Sequence, residues 1–160
     1  MSDEFSPKFK LHPGDPAPDF TTVDQHGNTV RLYDIPSKWI ALFFYPEDNT
    51  PTCTKEACNL RDQFADFKKL DCTIFGISPD DEKSHQKFIH KFNLPYDLLV
   101  DTNHEIASTY NVWGRKKFMG REFDGIHRVS YILNSDKKVH KIIYPVVSAE
   151  HAEQIIHEIS

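Results

Sequence analysis

Two hydrophobic rhythms alternate along the chain, and their alternation predicts its elements. KWIALFFY (38–45) is an unbroken apolar run of strand length, the pattern of a strand covered on both faces. CTIFGIS (72–78) repeats that pattern, and LLV (98–100) is a shorter version. Between the first two, CTKEACNLRDQFADFKK (53–69) changes period. Cys53, Ala57, Leu60, Phe64 and Phe67 recur at helical spacing and share one face, so this stretch is expected to be one helix. DEKSHQKFIHKFN (81–93) predicts a second helix, and a brief one is expected near 103–110. Nearer the start, HPGDPAP (12–18) is a turn-rich entry segment that helix and central strand would both reject. DFTTVDQHGNTVRL then places two extended runs around His26, Gly27 and Asn28, the pattern of a hairpin. After residue 110 a glycine-punctuated loop leads to HRVSYILN (127–134) and KVHKIIY (138–144), strands joined by a polar turn. SAEHAEQIIHEI (148–159) closes the chain as a helix, with Ser148 the expected N-cap.

Strands alternating with helices, then a hairpin and a last helix, indicate an α/β sandwich around a mixed sheet, with right-handed crossovers between parallel strands. The order suits a thioredoxin-like core with an N-terminal hairpin. The 160 residues fit one domain, which at this size buries about 70% of its unfolded surface without a disulfide framework or structural metal. Residues 1–12 are expected to be loosely ordered.

Charge and cysteine content narrow the function. A formal net charge of −5 and the lack of any Lys/Arg block of five argue against a nucleic-acid binder. The apolar run Trp39–Tyr45 is far too short to span a bilayer, so no membrane partner is expected. The opening MSDEFSPKFK is charged, is broken by Pro7, and lacks the apolar stretch of a secretory signal; the expected location is the cytoplasm. Three cysteines are too few for a disulfide scaffold. In a reducing compartment they are inert core residues, metal ligands or redox catalysts.

The stretch PEDNTPTCTKEAC (46–58) bears on that choice. Pro51 suits the first helical position, where its missing N–H would be unpaired anyway. Thr50 is then the N-cap and Cys53 falls in the first turn, facing unpaired N–H groups and the positive end of the helix dipole. A thiolate there would be a nucleophile beside its own anion stabiliser; equally, Cys53 could be a small core residue. Cys58 lies five residues on. In a regular helix such residues differ by about 140° and their Cα atoms stand about 8.6 Å apart, beyond the ~7 Å limit for a disulfide. The two thiols can join only if the first turns unwind; alternatively Cys58 is an idle surface thiol. Cys72, opening an apolar strand, reads most simply as core.

The residues from PEDNTPTCTKEAC onward resemble a known family. FYPEDNTPTCTKEAC carries, as Pro46, Thr50 and Cys53, the Pro-x-x-x-Thr-x-x-Cys pattern of the Q-type peroxiredoxins, also called the bacterioferritin comigratory protein family. Cys58 stands where that family's two-cysteine members carry their second cysteine. NVWGRKKFMGREFDGIHRVSYIL is similar to the family's Trp-Gly loop and Gly-Ile-x-Arg strand, which puts its catalytic arginine at Arg128. The likeness runs from about Gly14 to the end of the chain. Asn134, where relatives often carry Asp, and Cys72 depart from the pattern. The resemblance implies a thiol-dependent peroxidase acting on hydrogen peroxide and organic hydroperoxides. Cys53 would be the attacking thiolate, Thr50 and Arg128 its hydrogen-bond donors, and Pro46 its shield. Cys58 would resolve the sulfenic acid as an intramolecular disulfide. A thioredoxin-type or glutaredoxin-like reductant, a monomer, and no metal, haem or flavin are also implied.

Two other functions fit parts of the chain. A protein-disulfide oxidoreductase would want Cys-x-x-Cys rather than the spacing found. A metal-binding module would use Cys53, Cys58 and some of the nine His, which show no paired spacing near the cysteines. His85/His90 and His151/His157 are expected on exposed helix faces.

Overall fold

The computed structural model describes residues 4–160. A five-stranded mixed sheet forms its centre, in the order β5 (Asp97–Val100), β4 (Cys72–Ser78), β3 (Trp39–Phe44), β8 (Val129–Leu133), β9 (Val139–Ile143). β3, β4 and β5 run parallel, while β8 and β9 pair antiparallel. The expected mixed sheet and thioredoxin-like arrangement are borne out.

The unbroken apolar run of β3 is explained by what covers it. Ala41, Phe43 and Tyr45 point into one core with Leu60, Phe67, Phe88 and Ile155. Ile40, Leu42 and Phe44 point into a second with Leu99, Tyr110, Val129 and Tyr131. A strand buried on both faces needs no polar alternation. The first core is roofed by α1 (Pro51–Asp62), α2 (Phe64–Lys69), α3 (Glu82–Phe92) and α5 (His151–Ile159), each of which contributes apolar side chains to it. The second is closed by α4 (Glu105–Thr109) and the entry segment, with Ala17 and Leu32 fully buried. Phe9 lays its ring edge against Tyr131, which ties part of the 1–12 segment to this core.

The N-terminal hairpin is present as β1 (Thr21–Val23) and β2 (Thr29–Arg31), its turn held by Asp24, whose Oδ1 accepts from the N–H groups of His26 and Asn28. α3 starts at an N-cap Asp81 that accepts from Ser84 N at 2.9 Å, and stops at Asn93 in the left-handed region. Asparagine is one of the few residues that ends a helix this way at low cost.

Three expectations need correction. The helix over 53–69 is two helices, because Gln63 leaves helical geometry (φ −105°, ψ 13°) with no Gly or Pro to announce it. The loop after residue 110 is a hairpin, β6 (Trp113–Phe118) and β7 (Arg121–Ile126), closed by Met119 and Gly120, both at positive φ. That two-residue turn matches strand twist, but most hairpin residues face water, so no apolar alternation marks the strands. Finally, Ser148 does not cap α5. Residues 148–150 form a short 3-10 turn, and the first-turn N–H of Ala152 donates to Asn59 Oδ1 of α1 at 2.7 Å. A neighbouring helix supplies the cap that local sequence was expected to provide.

Candidate active site

β3 ends at Phe44, and the chain turns through 45–50 into α1 at the carboxyl edge of the parallel strands, where α/β sheets build their sites. Thr50 is extended (φ −85°, ψ 156°) at the N-cap and Pro51 opens the helix. The Thr50 hydroxyl does not cap the helix; it donates to the Glu47 carbonyl at 3.1 Å. Cys53 is therefore in the first turn, with the helix N–H groups around it. It is 2% exposed, held there because positions 53, 57 and 60 form the inward stripe of α1.

Arg128 immediately precedes β8, the strand beside β3, and reaches the same point. Its Nη2 donates to Cys53 Sγ at 3.3 Å, and its Nη1 donates to Glu56 Oε1 at 2.8 Å. Burial works against the guanidinium charge, but Glu56 and Cys53 outweigh it and hold Arg128 above its ordinary value. Lys116, on β6, is drawn down by burial and by Arg128, with Cys53 opposing; its Nζ donates to the Ile126 carbonyl at 2.6 Å. Two cations thus bear on one buried sulfur.

Glu56 is fully buried between Cys53 and Cys58 on the helix. Its Oε2 has no hydrogen-bond partner among the described residues, and His151 Nε2 of α5 lies 3.5 Å from it. Glu56, Asn59 and Gln63 all face the start of α5: Asn59 receives Ala152 N, and Gln63 Nε2 donates to Glu153 Oε1 at 3.2 Å.

Cys58 is half-buried, without a disulfide, near Arg61 and Tyr96. Tyr96 donates its hydroxyl to the Ala57 carbonyl at 2.7 Å, pinning the middle of α1. Since α1 runs unbroken from Pro51 to Asp62, the two cysteines stand in the helical relation that forbids a disulfide.

The loop before α1 is anchored from below. Asp48 accepts from Tyr45 Oη at 2.6 Å and from Ser84 Oγ at 2.8 Å, and its Oδ2 lies 2.8 Å from His85 Nδ1. His85 is fully buried, as is His151, so the expectation that both lie on exposed faces fails, while His90 and His157 are exposed. Both ring nitrogens of His85 and of His151 have partners, which is what permits their burial. Asp48, Asp80 and His85 offer ligand atoms within 4.8 Å of one another, but neither Cys53 nor Cys58 joins them. Ser78, Ser84 and Tyr45 hydrogen-bond to these carboxylates. Nothing in this cluster supports the cysteine–histidine metal module.

Residues 13–142 match the AhpC/TSA family. Peroxiredoxin Bcp of Bacillus subtilis (strain 168) is 41% identical over 143 residues, 89% of this chain and 91% of that protein. The chain belongs to this family of peroxiredoxins. Peroxiredoxin Bcp of Escherichia coli (strain K12) is 36% identical over 146 residues, 91% of this chain and 94% of that one. Among solved structures, Peroxidoxin BcpB from Mycobacterium tuberculosis superposes with a TM-score of 0.82 at 30% identity, covering 93% of this chain and 96% of its own. Xanthomonas campestris Peroxiredoxin Q gives 0.84 at 26%, covering 94% and 96%. The resemblance read from the two motifs is borne out, and this peroxiredoxin is a thiol-dependent peroxidase.

The fold of this peroxiredoxin brings Cys53 and Arg128 together from 75 positions apart. Pro46 and Thr50 lie on the loop leading to the same helix start. Three groups near the sulfur were not singled out from sequence. Glu56 had a signal, since position i+3 from Cys53 falls on the buried face and a carboxylate there requires a partner. Lys116 and His151 had none, because their proximity depends on a hairpin and a terminal helix folding back.

Proposed function

We propose that this peroxiredoxin reduces hydroperoxides at Cys53, with Arg128 and the first turn of α1 stabilising the charges that form. One observation carries the reading: Arg128 Nη2 stands 3.3 Å from the sulfur of a buried, first-turn cysteine. The Cys53 thiolate attacks one peroxide oxygen in line; the S–O bond forms as the O–O bond breaks. The electron pair leaves on the far oxygen, which takes a proton and departs as water or an alcohol, and Cys53 is left as a sulfenic acid. Donors fixed along that line lower the barrier because charge moves from sulfur to oxygen. Arg128 and the Cys53 backbone N–H are two of them. The Thr50 hydroxyl is the third; engaged with Glu47 at rest, it turns to the peroxide when substrate enters. Pro46 limits access of water and of a second peroxide.

Cys58 then attacks the sulfenic sulfur, releasing water and forming the Cys53–Cys58 disulfide. The intact helix keeps Cys58 away while Cys53 waits for peroxide, and local unfolding of α1 delivers it afterwards. A thioredoxin-type dithiol returns two electrons by exchange. The resolving thiol lies in the same chain, so this reading is of a monomer, working in the cytoplasm where such a reductant is available.

Intact-mass analysis after one equivalent of hydrogen peroxide tests this. The native chain should lose two hydrogens, Cys58→Ser should gain one oxygen at Cys53, and Cys53→Ser should be unchanged. Equal oxidation of Cys53→Ser would remove the basis of the assignment.

A further inference from the structure

His151 is a fully buried titratable group that the reaction above does not use. Its hydrogen bonds fix its tautomer. Gln154 Oε1 is the acceptor side of that amide, since it receives Val147 N at 3.0 Å while Gln154 Nε2 donates to the Pro145 carbonyl. Facing that oxygen at 2.8 Å, His151 Nδ1 carries a hydrogen. In the neutral ring Nε2 is then an acceptor, met by the Ser130 hydroxyl at 2.6 Å. The same Nε2 is 3.5 Å from Glu56 Oε2, a buried carboxylate oxygen with no hydrogen-bond partner among the described residues. The other oxygen of Glu56 holds Arg128, which holds the Cys53 sulfur. A row therefore runs from α5 through Glu56 and Arg128 back to the thiol, hydrogen-bonded at every step but the 3.5 Å approach of His151 to Glu56. An unpartnered carboxylate oxygen in such a place is costly, and Nε2, 3.5 Å away, is placed to donate to it when the ring is charged.

We propose that His151 is a positioning residue for the peroxidase reaction, setting through Glu56 the aim of Arg128 at Cys53. The proposal rests on the assignment of Cys53 as the attacking thiolate. When the His151 ring carries a hydrogen on both nitrogens, Nε2 donates toward Glu56 Oε2, so that Oε1 stays on Arg128 Nη1 and leaves Nη2 for sulfur and peroxide. Without it, the carboxylate is free to rotate and draw the guanidinium away. The charged groups facing this row are Glu56, Arg128 and, beyond them, Lys116.

Two substitutions separate positioning from packing. His151→Gln keeps a polar nitrogen at the place of Nε2; His151→Asn keeps one only at the place of Nδ1. Single-turnover oxidation of Cys53 by hydrogen peroxide should slow roughly three- to tenfold in His151→Asn, as expected for residues coupled in one network. It should stay within about twofold of native in His151→Gln, and the difference between the two variants should vanish in a Glu56→Gln background. Equal losses in both variants, a loss that persists in Glu56→Gln, or no loss in either would overturn the proposal. Alkylation of Cys53 by iodoacetamide in the same variants separates two failures. If native protein does not consume peroxide, the peroxidase reading falls, while the alkylation contrast still decides the role of His151. One measurement needs no variant at position 151: the Nε2 chemical shift of His151 should move when Cys53 is replaced by Ser, and an unmoved shift refutes the coupling.

Discussion

Cys53 and Cys72 are both buried thiols, 2% and 6% exposed, and they lie at opposite ends of the parallel strands. Cys72 opens β4 among apolar side chains; burial pushes its thiol up to about 12, with only a backbone contact from Ala41 pulling the other way. Cys53 sits beyond the carboxyl end of β3, where a helix begins and Arg128 comes within 3.3 Å. Burial by itself silences a thiol. What distinguishes Cys53 is a guanidinium within hydrogen-bond reach at the carboxyl ends of the parallel strands, with no such contact to Cys72 at their other ends among the described residues.

The comparison breaks most easily at the arginine. Arg128→Met should slow peroxide reduction on the order of 100-fold by stopped-flow, the usual cost of losing a fixed donor to a developing charge, whereas Cys72→Ser should stay within about twofold. A similar loss in both would mean that position relative to the cation is not what matters.

A smaller effect concerns pH. The folded Cys72 thiol titrates near 12 rather than at its ordinary 9.0, so between those values the unfolded chain loses this proton and the folded chain keeps it. Native stability contributed here is complete below about pH 9 and is lost as pH rises toward 12. Cys72→Ala should be less stable than native at pH 7 by about 1 kcal/mol for the lost sulfur, and the gap should close or reverse by pH 11 in urea melts. A gap constant with pH would show that Cys72 ionises freely in the fold.

The smallest change sharpens the contrast between Cys53 and its proposed partner. Tyr96→Phe removes the hydrogen bond to the Ala57 carbonyl, worth about 1 kcal/mol, and so loosens the turn between the two cysteines. Disulfide closure after oxidation should quicken by roughly three- to fivefold while the initial peroxide step is unchanged. Slower closure would mean that Tyr96 guides Cys58 inward rather than restraining α1.

Most of the central sheet was legible because doubly buried strands such as 39–44 and 72–78 are apolar through most of their length, and an apolar run of that length is hard to read otherwise. The start of α1 was equally legible, since Thr50, Pro51 and Cys53 encode it locally. The β6–β7 hairpin was not, because water on both sides removes the alternation that marks a strand. Nor were His85 and His151: a lone histidine on an amphipathic helix looks exposed until Asp48 or Ser130 arrives from elsewhere in the chain.

The sequence by itself determined which segments form a buried mixed sheet, the helix that opens at Pro51, and the spacing that keeps Cys53 and Cys58 apart while that helix lasts. These depend on neighbours within a few residues or on burial, which composition records directly. The tertiary structure alone decided that Glu56 joins Arg128 to α5, that Asn59 caps a helix 93 positions away, and that of two buried thiols only one meets a cation. Those outcomes require charges from distant segments to be brought within about 3 Å, a distance at which hydrogen bonds become directional and which no local pattern can specify.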